Sequence, residues 1–334
     1  MTRILVTGAS GFMGAHLAKK LLDAKHEVHS IQHDAKPFDS ASVLGIKNQI
    51  TWSFGDIQNY DFVLRVVSDY EIEEIYHLAA LPIVRIAGRN PLPVFSTNIC
   101  GTVNVLQAAK ENGSRVVVIA TDKVYGDSGD SSYQEDTPLK GYGVYESSKA
   151  CCDIITRCYH YEYDLTCGVV RPSNVFGPAD FNSRIIPNTI RRVLKGQTPI
   201  LYRGVGYRRE FIYVDDWSDA MILVMGHLPT LITSAYETLD KSKQRDRSAV
   251  ASSLSWNIGS GESFTQEETL AAILKHFPGV TPETREPMPY MKLEIPYQRL
   301  DSTKIRQLGW YPKTKFVDGV TETVQWWKSH PEWR

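Results

Sequence analysis

Arg3-Ile4-Leu5-Val6-Thr7-Gly8-Ala9-Ser10-Gly11-Phe12-Met13-Gly14 opens the chain and decides its fold. Ile4 to Thr7 reads as a short buried strand, and His16 to Lys25 as an amphipathic helix. The glycines between them permit a tight turn and let the backbone approach a pyrophosphate closely. The start of the next helix favours that ligand's negative charge. A glycine-rich turn alone is a weak signal. With a strand before it and a helix after it, a plain turn is a poor account.

The same alternation continues outward. Glu27 to Gln32, Ile50 to Phe54, Glu74 to Leu78, Arg115 to Ala120 and Thr166 to Arg171 read as strands. Phe62 to Asp69 and Val94 to Asn112 read as helices between them. Such β-α alternation predicts an α/β fold, a doubly wound parallel sheet covered on both faces. After Arg171 the elements shorten, and Pro and Gly become frequent. Phe211 to Val214 is apolar and is expected to return to the sheet. Ser234 to Ser253 is polar and reads as a surface insertion. Thr265 to Phe277 and Gly319 to Lys328 read as helices, with Trp326, Trp327 and Trp333 packing the terminal one.

The chain has 334 residues, 42% of them apolar, enough for a sizeable core. Its 37 Lys and Arg nearly balance 38 Asp and Glu, so no basic excess points to nucleic acid or an anionic membrane. No apolar run reaches membrane-spanning length, and no signal peptide is visible. Five cysteines without ligand spacing predict reduced thiols and no metal, as in a cytoplasmic protein.

Two motifs carry the chemistry. Thr121-Asp122-Lys123-Val124-Tyr125-Gly126 precedes Tyr145-Glu146-Ser147-Ser148-Lys149. Tyr145 and Lys149 stand at i and i+4, so one helix face carries a phenol and an ammonium. A nearby cation stabilises a phenolate and lowers the tyrosine pKa toward working pH. The pair makes a base for a hydroxyl proton. Asp122 and Lys123 add an acid and a second amine; the bland reading of that pair is a salt-bridged turn. At the end of the second strand, Gln32-His33-Asp34 offers no Arg for a 2′-phosphate, and Gln32 can bind a ribose hydroxyl, which favours NAD. His77 is read as structural, a strand-end histidine.

Together these residues resemble the extended short-chain dehydrogenase/reductase family, within it the nucleotide-sugar epimerases and dehydratases. The resemblance runs through the Gly8 turn with its G-x-x-G-x-x-G spacing, His77-Leu78-Ala79-Ala80, Asn98-Ile99-Cys100-Gly101-Thr102 and the Tyr145/Lys149 pair. It continues through Arg171-Pro172-Ser173-Asn174-Val175-Phe176-Gly177-Pro178, Arg209-Glu210-Phe211, Asn257-Ile258-Gly259 and Leu308-Gly309-Trp310. Segments such as Thr121-Asp122-Lys123, Arg184-Ile185-Ile186-Pro187 and Tyr297-Gln298-Arg299-Leu300-Asp301 look most like CDP-glucose 4,6-dehydratases. The glycine loop departs from that pattern at Phe12-Met13-Gly14-Ala15-His16.

The resemblance implies a Rossmann domain over 1–172, with a returning segment near 210–230, and a mainly substrate-binding domain over 173–334. It implies NAD held by Gly8, Ser10, Gly11, Phe12, Met13, Gly14, Gln32, Asp56, Ile57, Leu78, Ala79, Ala80, Asn98, Tyr145, Lys149, Pro172 and Val175. A nucleotide-diphosphate sugar would meet Thr121, Asn174, Arg184 and Arg209, while Arg208 is a solvated neighbour. Arg suits phosphate oxygens because its planar fork binds them in pairs.

In such an enzyme Tyr145 takes the C4 hydroxyl proton as hydride passes to NAD, and Thr121 bonds the C4 oxygen. A 4-epimerase needs little more. A 4,6-dehydratase must also remove a C5 proton and protonate the leaving C6 hydroxyl, which needs a further acid and base. Asp122 and Lys123 therefore favour the dehydratase. A 4-epimerase in which they only bind substrate is the alternative, and a non-catalytic relative is a remote one. The resemblance also implies a homodimer, with Val94 to Asn112 and Glu146 to Tyr163 paired across a two-fold axis.

Overall fold

The computed structural model describes residues 1–34, 39–82, 90–127, 129, 131–238, 253–288 and 295–333. Its centre is a seven-stranded parallel sheet built from β1 (Arg3–Thr7), β2 (Glu27–Gln32), β3 (Thr51–Phe54), β4 (Glu74–His77), β5 (Arg115–Ile119), β6 (Cys167–Pro172) and β10 (Ser255–Ile258). The spatial order is β10-β6-β5-β4-β1-β2-β3. β1 pairs on one side with β2, Ile4 opposite Val28, and on the other with β4, Leu5 opposite Ile75. The strand order reverses between β1 and β4. In a doubly wound sheet a ligand crevice opens at that place, beyond the carboxyl ends of the strands.

Helices cover both faces, and that explains why the strands read as unbroken apolar runs. On one face Leu17 and Leu21 of α1 (Phe12–Asp23) pack with Trp217, Met221, Val224 and Leu228, and with Trp256 of β10. On the other, Val63 and Val67 of α2 (Tyr60–Asp69) meet Val105 and Leu106 of α3 (Gly101–Asn112) and Cys152 of α4 (Val144–Tyr163). The expected helix Val94 to Asn112 is interrupted. A short helix, Pro91–Phe95, leads into a single π turn, Ser96–Cys100, before α3 begins.

A second core lies in the later half. Phe176, Ile186, Phe211, Tyr213, Ile273, Phe316, Val320 and Trp327 form it. It joins α5 (Ile185–Leu194), α7 (Gln266–Leu274) and α8 (Phe316–Ser329) to a three-stranded sheet of β7 (Asn174–Phe176), β9 (Arg208–Tyr213) and β11 (Ser263–Thr265). Thr265 starts α7 with a full capping box: its hydroxyl accepts from Glu268 N, and the Glu268 carboxylate accepts from Thr265 N. β8 (Ile200–Tyr202) and β12 (Glu283–Arg285) form a separate parallel pair.

The return of Phe211 to Val214 to the main sheet is corrected here. Phe211 to Tyr213 belong to β9, which is parallel to β7 and antiparallel to β11, and Val214 already opens the next helix. Phe211 and Tyr213 are drawn into the aromatic core around Phe176 and Phe316. An apolar run marks a strand without saying which sheet it joins. The strand that does rejoin is Ser255-Trp256-Asn257-Ile258, parallel to β6. β9 leads directly into a helix, α6 (Val214–Thr238), lying along α1. Most of the polar stretch 234–253 lies outside the described residues. Among the described residues no helix is long and apolar enough to cross a membrane, and no cluster could hold a metal ion. All five cysteines are free.

Candidate active site

The crevice is floored by the first turn. Gly8 adopts φ +81°, and Gly11 N donates to Gly8 O at 2.9 Å. A Cβ on Gly14 would stand 2.3 Å from Gly8 O, so only glycine lets the helix press on the turn. Gly11 caps α1 without any side-chain hydrogen bond. The first N–H groups of the helix therefore keep their donors for an anion. Phe12 is buried and packs edge-on to His16, whose Nε2 bonds Pro178 O at 2.9 Å. Met13 is half-buried over the main core, and Ser10 O accepts from Ser40 N at 3.1 Å.

At the far end of this cradle, Gln32 is buried and gives Nε2 to Asp34 O at 2.8 Å, while its Oε1 has no partner. A buried acceptor without a donor fits a hydroxyl such as a ribose would bring. His33 stands between two carboxylates, 2.9 Å from Asp34 and 3.3 Å from Asp56, and both hold its pKa above the usual value. Ile57 is buried against Gly101, where a Cβ would meet it at 2.6 Å. These features fit NAD: a glycine turn, an uncapped helix start, and an acidic surround unsuited to a 2′-phosphate.

The opposite wall is wired through His77. Thr7 Oγ1 accepts from Leu78 N and Ala79 N at 3.0 and 3.1 Å, so its hydrogen goes to His77 Nδ1 at 2.9 Å. His77 Nε2–H then donates to Thr102 Oγ1 at 3.1 Å, and Thr102 to Asn98 O at 2.5 Å. Burial, with the Lys149 charge second, lowers the His77 pKa to about 3 and keeps the ring neutral. Its role in this geometry is structural, as its sequence position suggests. It seats Leu78, Ala79 and the adjoining Ala80, and Ala79 N lies 3.0 Å from where a Gly8 Cβ would be. Asn98, inside the π turn, accepts from Leu81 N at 2.8 Å and donates to Ser148 Oγ at 2.9 Å. Ser148 in turn donates to Tyr145 O. Such π turns recur at functional sites.

Tyr145 and Lys149 lie in the first turns of α4. Lys149 is buried and gives Nζ to Ile119 O at 2.7 Å. The Tyr145 phenol is pushed up to about 12, chiefly by burial; the Arg184 charge pulls it down, and Asp122 and Glu146 push it up. The Lys149 ammonium is turned to the Ile119 carbonyl at the end of β5. Arg184, exposed at the cap of α5, also reaches Val175 O at 3.3 Å.

Beside them, Thr121 caps the turn Asp122–Tyr125. Its Oγ1 donates to Asp122 Oδ1 at 3.0 Å, and Lys123 Nζ approaches the same oxygen at 3.3 Å. Asp122 is 1% exposed, and its Oδ2 has no partner. Lys123 Nζ also lies 3.4 Å from Asn174 Oδ1, and Asn174 Nδ2 donates to Glu210 O at 3.0 Å. Pro172 ends β6 and Val175 is buried in β7, one residue to either side of Ser173-Asn174. Thr121, Asp122, Lys123 and Asn174 are thus one hydrogen-bonded cluster, and Arg184 acts on Tyr145 through its charge.

Arg209 stacks on Tyr207 and gives Nη1 to Ile295 O at 2.6 Å. Arg208 is not a solvated neighbour: it bonds Ser263 and pairs with Glu268 at 3.2 Å, holding β11 to β9. The sequence reading missed Ser148, Glu210, and the buried pair of Arg171 with Asp153 at 2.7 Å. Arg171 also bonds Tyr125 and Ser255, tying β6 to its neighbours. Glu210 accepts from Gly261 N and Leu300 N at 2.6 Å each. Burial, with Asp122 adding, raises it to about 7. The available signal was a carboxylate opening an apolar strand, Glu210-Phe211-Ile212.

Known proteins of this form are similar along their whole length. The dTDP-glucose 4,6-dehydratase of Mycobacterium tuberculosis is 27% identical over 337 residues, covering 99% of this chain and 95% of that one. The solved structure of a dTDP-glucose 4,6-dehydratase from Bacillus anthracis in complex with NAD is 26% identical, with a TM-score of 0.83, covering 100% of this chain and 98% of that one. A UDP-glucose 4-epimerase of Thermus thermophilus in complex with NAD is 25% identical, with a TM-score of 0.81 and coverage of 98% and 99%. The family model described as GDP-mannose 4,6 dehydratase matches residues 5–323, and the chain belongs to that family.

Proposed function

We propose that this protein is an NAD-dependent nucleotide-sugar 4,6-dehydratase, converting an NDP-hexose to the NDP-4-keto-6-deoxyhexose. The observation that carries this reading is the cluster Thr121-Asp122-Lys123, with the Asp122 carboxyl buried and one of its oxygens unpartnered. Elimination needs an acid and a base beyond the tyrosine, and the cluster supplies two such groups.

NAD, when bound, supplies the hydride acceptor that takes hydrogen from the sugar and later returns it. The chain's own residues manage protons and position. Tyr145 receives the C4 hydroxyl proton, and Thr121 holds the C4 oxygen. The C4 ketone acidifies C5–H, and the Asp122–Lys123 pair removes that proton and delivers it to the leaving C6 hydroxyl; as hydride returns to C6, the proton held on Tyr145 goes to C5 and the tyrosine base is restored. Asn174, Arg184 and Arg209 are assigned to the nucleotide-sugar side of the site. Residues 1–172 are assigned to the cofactor and 173–334 mainly to the substrate. We place the protein in the cytoplasm as a homodimer. The 4-epimerase reading keeps support from the likeness to the Thermus thermophilus enzyme, since both reactions begin with the same oxidation.

The test is product mass. Purified protein is incubated with a panel of nucleotide sugars that includes dTDP-glucose and CDP-glucose. Loss of one water supports the dehydratase; unchanged mass with altered stereochemistry makes it an epimerase. Asp122→Asn and Lys123→Met should still reduce the nicotinamide but slow water loss about a hundred- to ten-thousand-fold. Tyr145→Phe should leave the nicotinamide oxidised. Wild-type turnover in both pair variants would remove Asp122 and Lys123 from the reaction.

A further inference from the structure

Asn174 stands where a substrate contact is expected, yet its amide is already committed within the protein. Nδ2 donates to the backbone Glu210 O at 3.0 Å, which fixes which way the amide faces. Oδ1 is therefore turned to Lys123 Nζ, at 3.4 Å. The same ammonium lies 3.3 Å from Asp122 Oδ1. Lys is a flexible point charge on a four-carbon stem, and two acceptors from different elements hold it far better than one.

The anchor of this arrangement is itself rigid. Glu210 sits in β9, and its buried carboxyl grips Gly261 N and Leu300 N at 2.6 Å each. A Cβ at Gly259 would meet that carboxyl at 2.2 Å, so no side chain can intrude there. The line Glu210–Asn174–Lys123–Asp122 thus runs from the second core into the reaction cluster. It leaves Asp122 Oδ2 as the unpartnered oxygen.

We infer that Asn174 is a positioning residue for Lys123: it holds the ammonium against Asp122 Oδ1 and so sets the geometry of the acid–base pair. The inference rests on the dehydratase reading for the step it controls.

The experiment is a double-mutant cycle on Asn174→Ala and Lys123→Met, read with dTDP-glucose or CDP-glucose, whichever the wild type turns over. Nicotinamide absorbance tracks the first oxidation and product mass tracks water loss. Asn174→Ala should slow water loss roughly ten- to a hundred-fold more than it slows the oxidation. It should cost nothing further once Lys123 is Met. Asn174→Ser, which keeps a small polar group, serves if the Ala variant does not fold. An equal loss in the Lys123→Met background would overturn the inference. So would a rise in KM with the partition between oxidation and water loss unchanged, which would make Asn174 a substrate contact only. If the wild type gives an epimer without water loss, the dehydratase reading has failed. The same cycle read on epimer formation then decides the coupling by the same criteria.

Discussion

His77 shows how much a single buried residue can fix. One ring nitrogen accepts from Thr7 and the other donates to Thr102, so the imidazole works only when neutral. Burial lowers its pKa from 6.5 to about 3. The folded state then binds fewer protons than the unfolded chain between those values, and the stability His77 contributes is lost as pH falls below 6.5. One pKa unit corresponds to about 1.4 kcal/mol, so the effect at pH 5 is on the order of 2 kcal/mol. Urea midpoints at pH 7 and pH 5 should show His77→Gln losing less stability on acidification than the wild type, even though it starts lower. Equal losses would mean that His77 does not carry the acid sensitivity. The histidine's exclusion from the chemistry could be read from its place at a strand end, but its partners could not. Thr7 and Thr102 are 95 residues apart in the chain and meet only across β1, β4 and α3.

At the scale of elements, the β1 turn and α1 form a single device. Gly8 provides the positive φ, Gly14 the close approach, and Gly11 a helix start with no side-chain cap. Gly14→Ala would force a methyl to within 2.3 Å of the Gly8 carbonyl unless backbone moves. Overpacking of this kind typically costs about 1–3 kcal/mol. It should also pull the first helical N–H groups off the pyrophosphate position. The expected outcome is protein that folds with a lowered melting temperature and loses NAD on gel filtration, measured by extracting and identifying the retained nucleotide. Retention equal to wild type would show that the turn does not set cofactor binding. Here the sequence was fully informative, because strand, turn and helix are contiguous. The segment Val94 to Asn112 was less so. Its apolar periodicity reads through the π turn at Ser96–Cys100, since one inserted residue shifts the register without breaking the pattern.

On the whole-molecule scale, the helices flanking the site present apolar groups outward. Ile154 is 53% exposed and Tyr161 42%, and they share a face of α4 with exposed Cys158; Leu92 is 72% exposed. Exposed apolar side chains on these helices fit the isologous dimer proposed above. Light scattering at micromolar concentration should return twice the chain mass, and Ile154→Glu should shift the protein toward the monomer by burying a charge in the contact. A monomer mass for the wild type would remove the proposal.

The alternation of strands and helices, the glycine turn, and the motifs around Thr121 and Tyr145 were legible because each depends on neighbours within one or two turns of chain. Periodicity also assigned α/β class before any contact was known. The tertiary structure alone decided which strand closes the main sheet. Ser255 to Ile258 reaches β6 from more than 80 residues away, while Phe211 and Tyr213 are held in the second core by Phe176 and Phe316. It also decided the line from Glu210 through Asn174 to Lys123, and the commitment of Lys149 to Ile119 O. Those contacts join side chains from separate elements. No sequence spacing specifies them, because they exist only once packing has set the distance between strands.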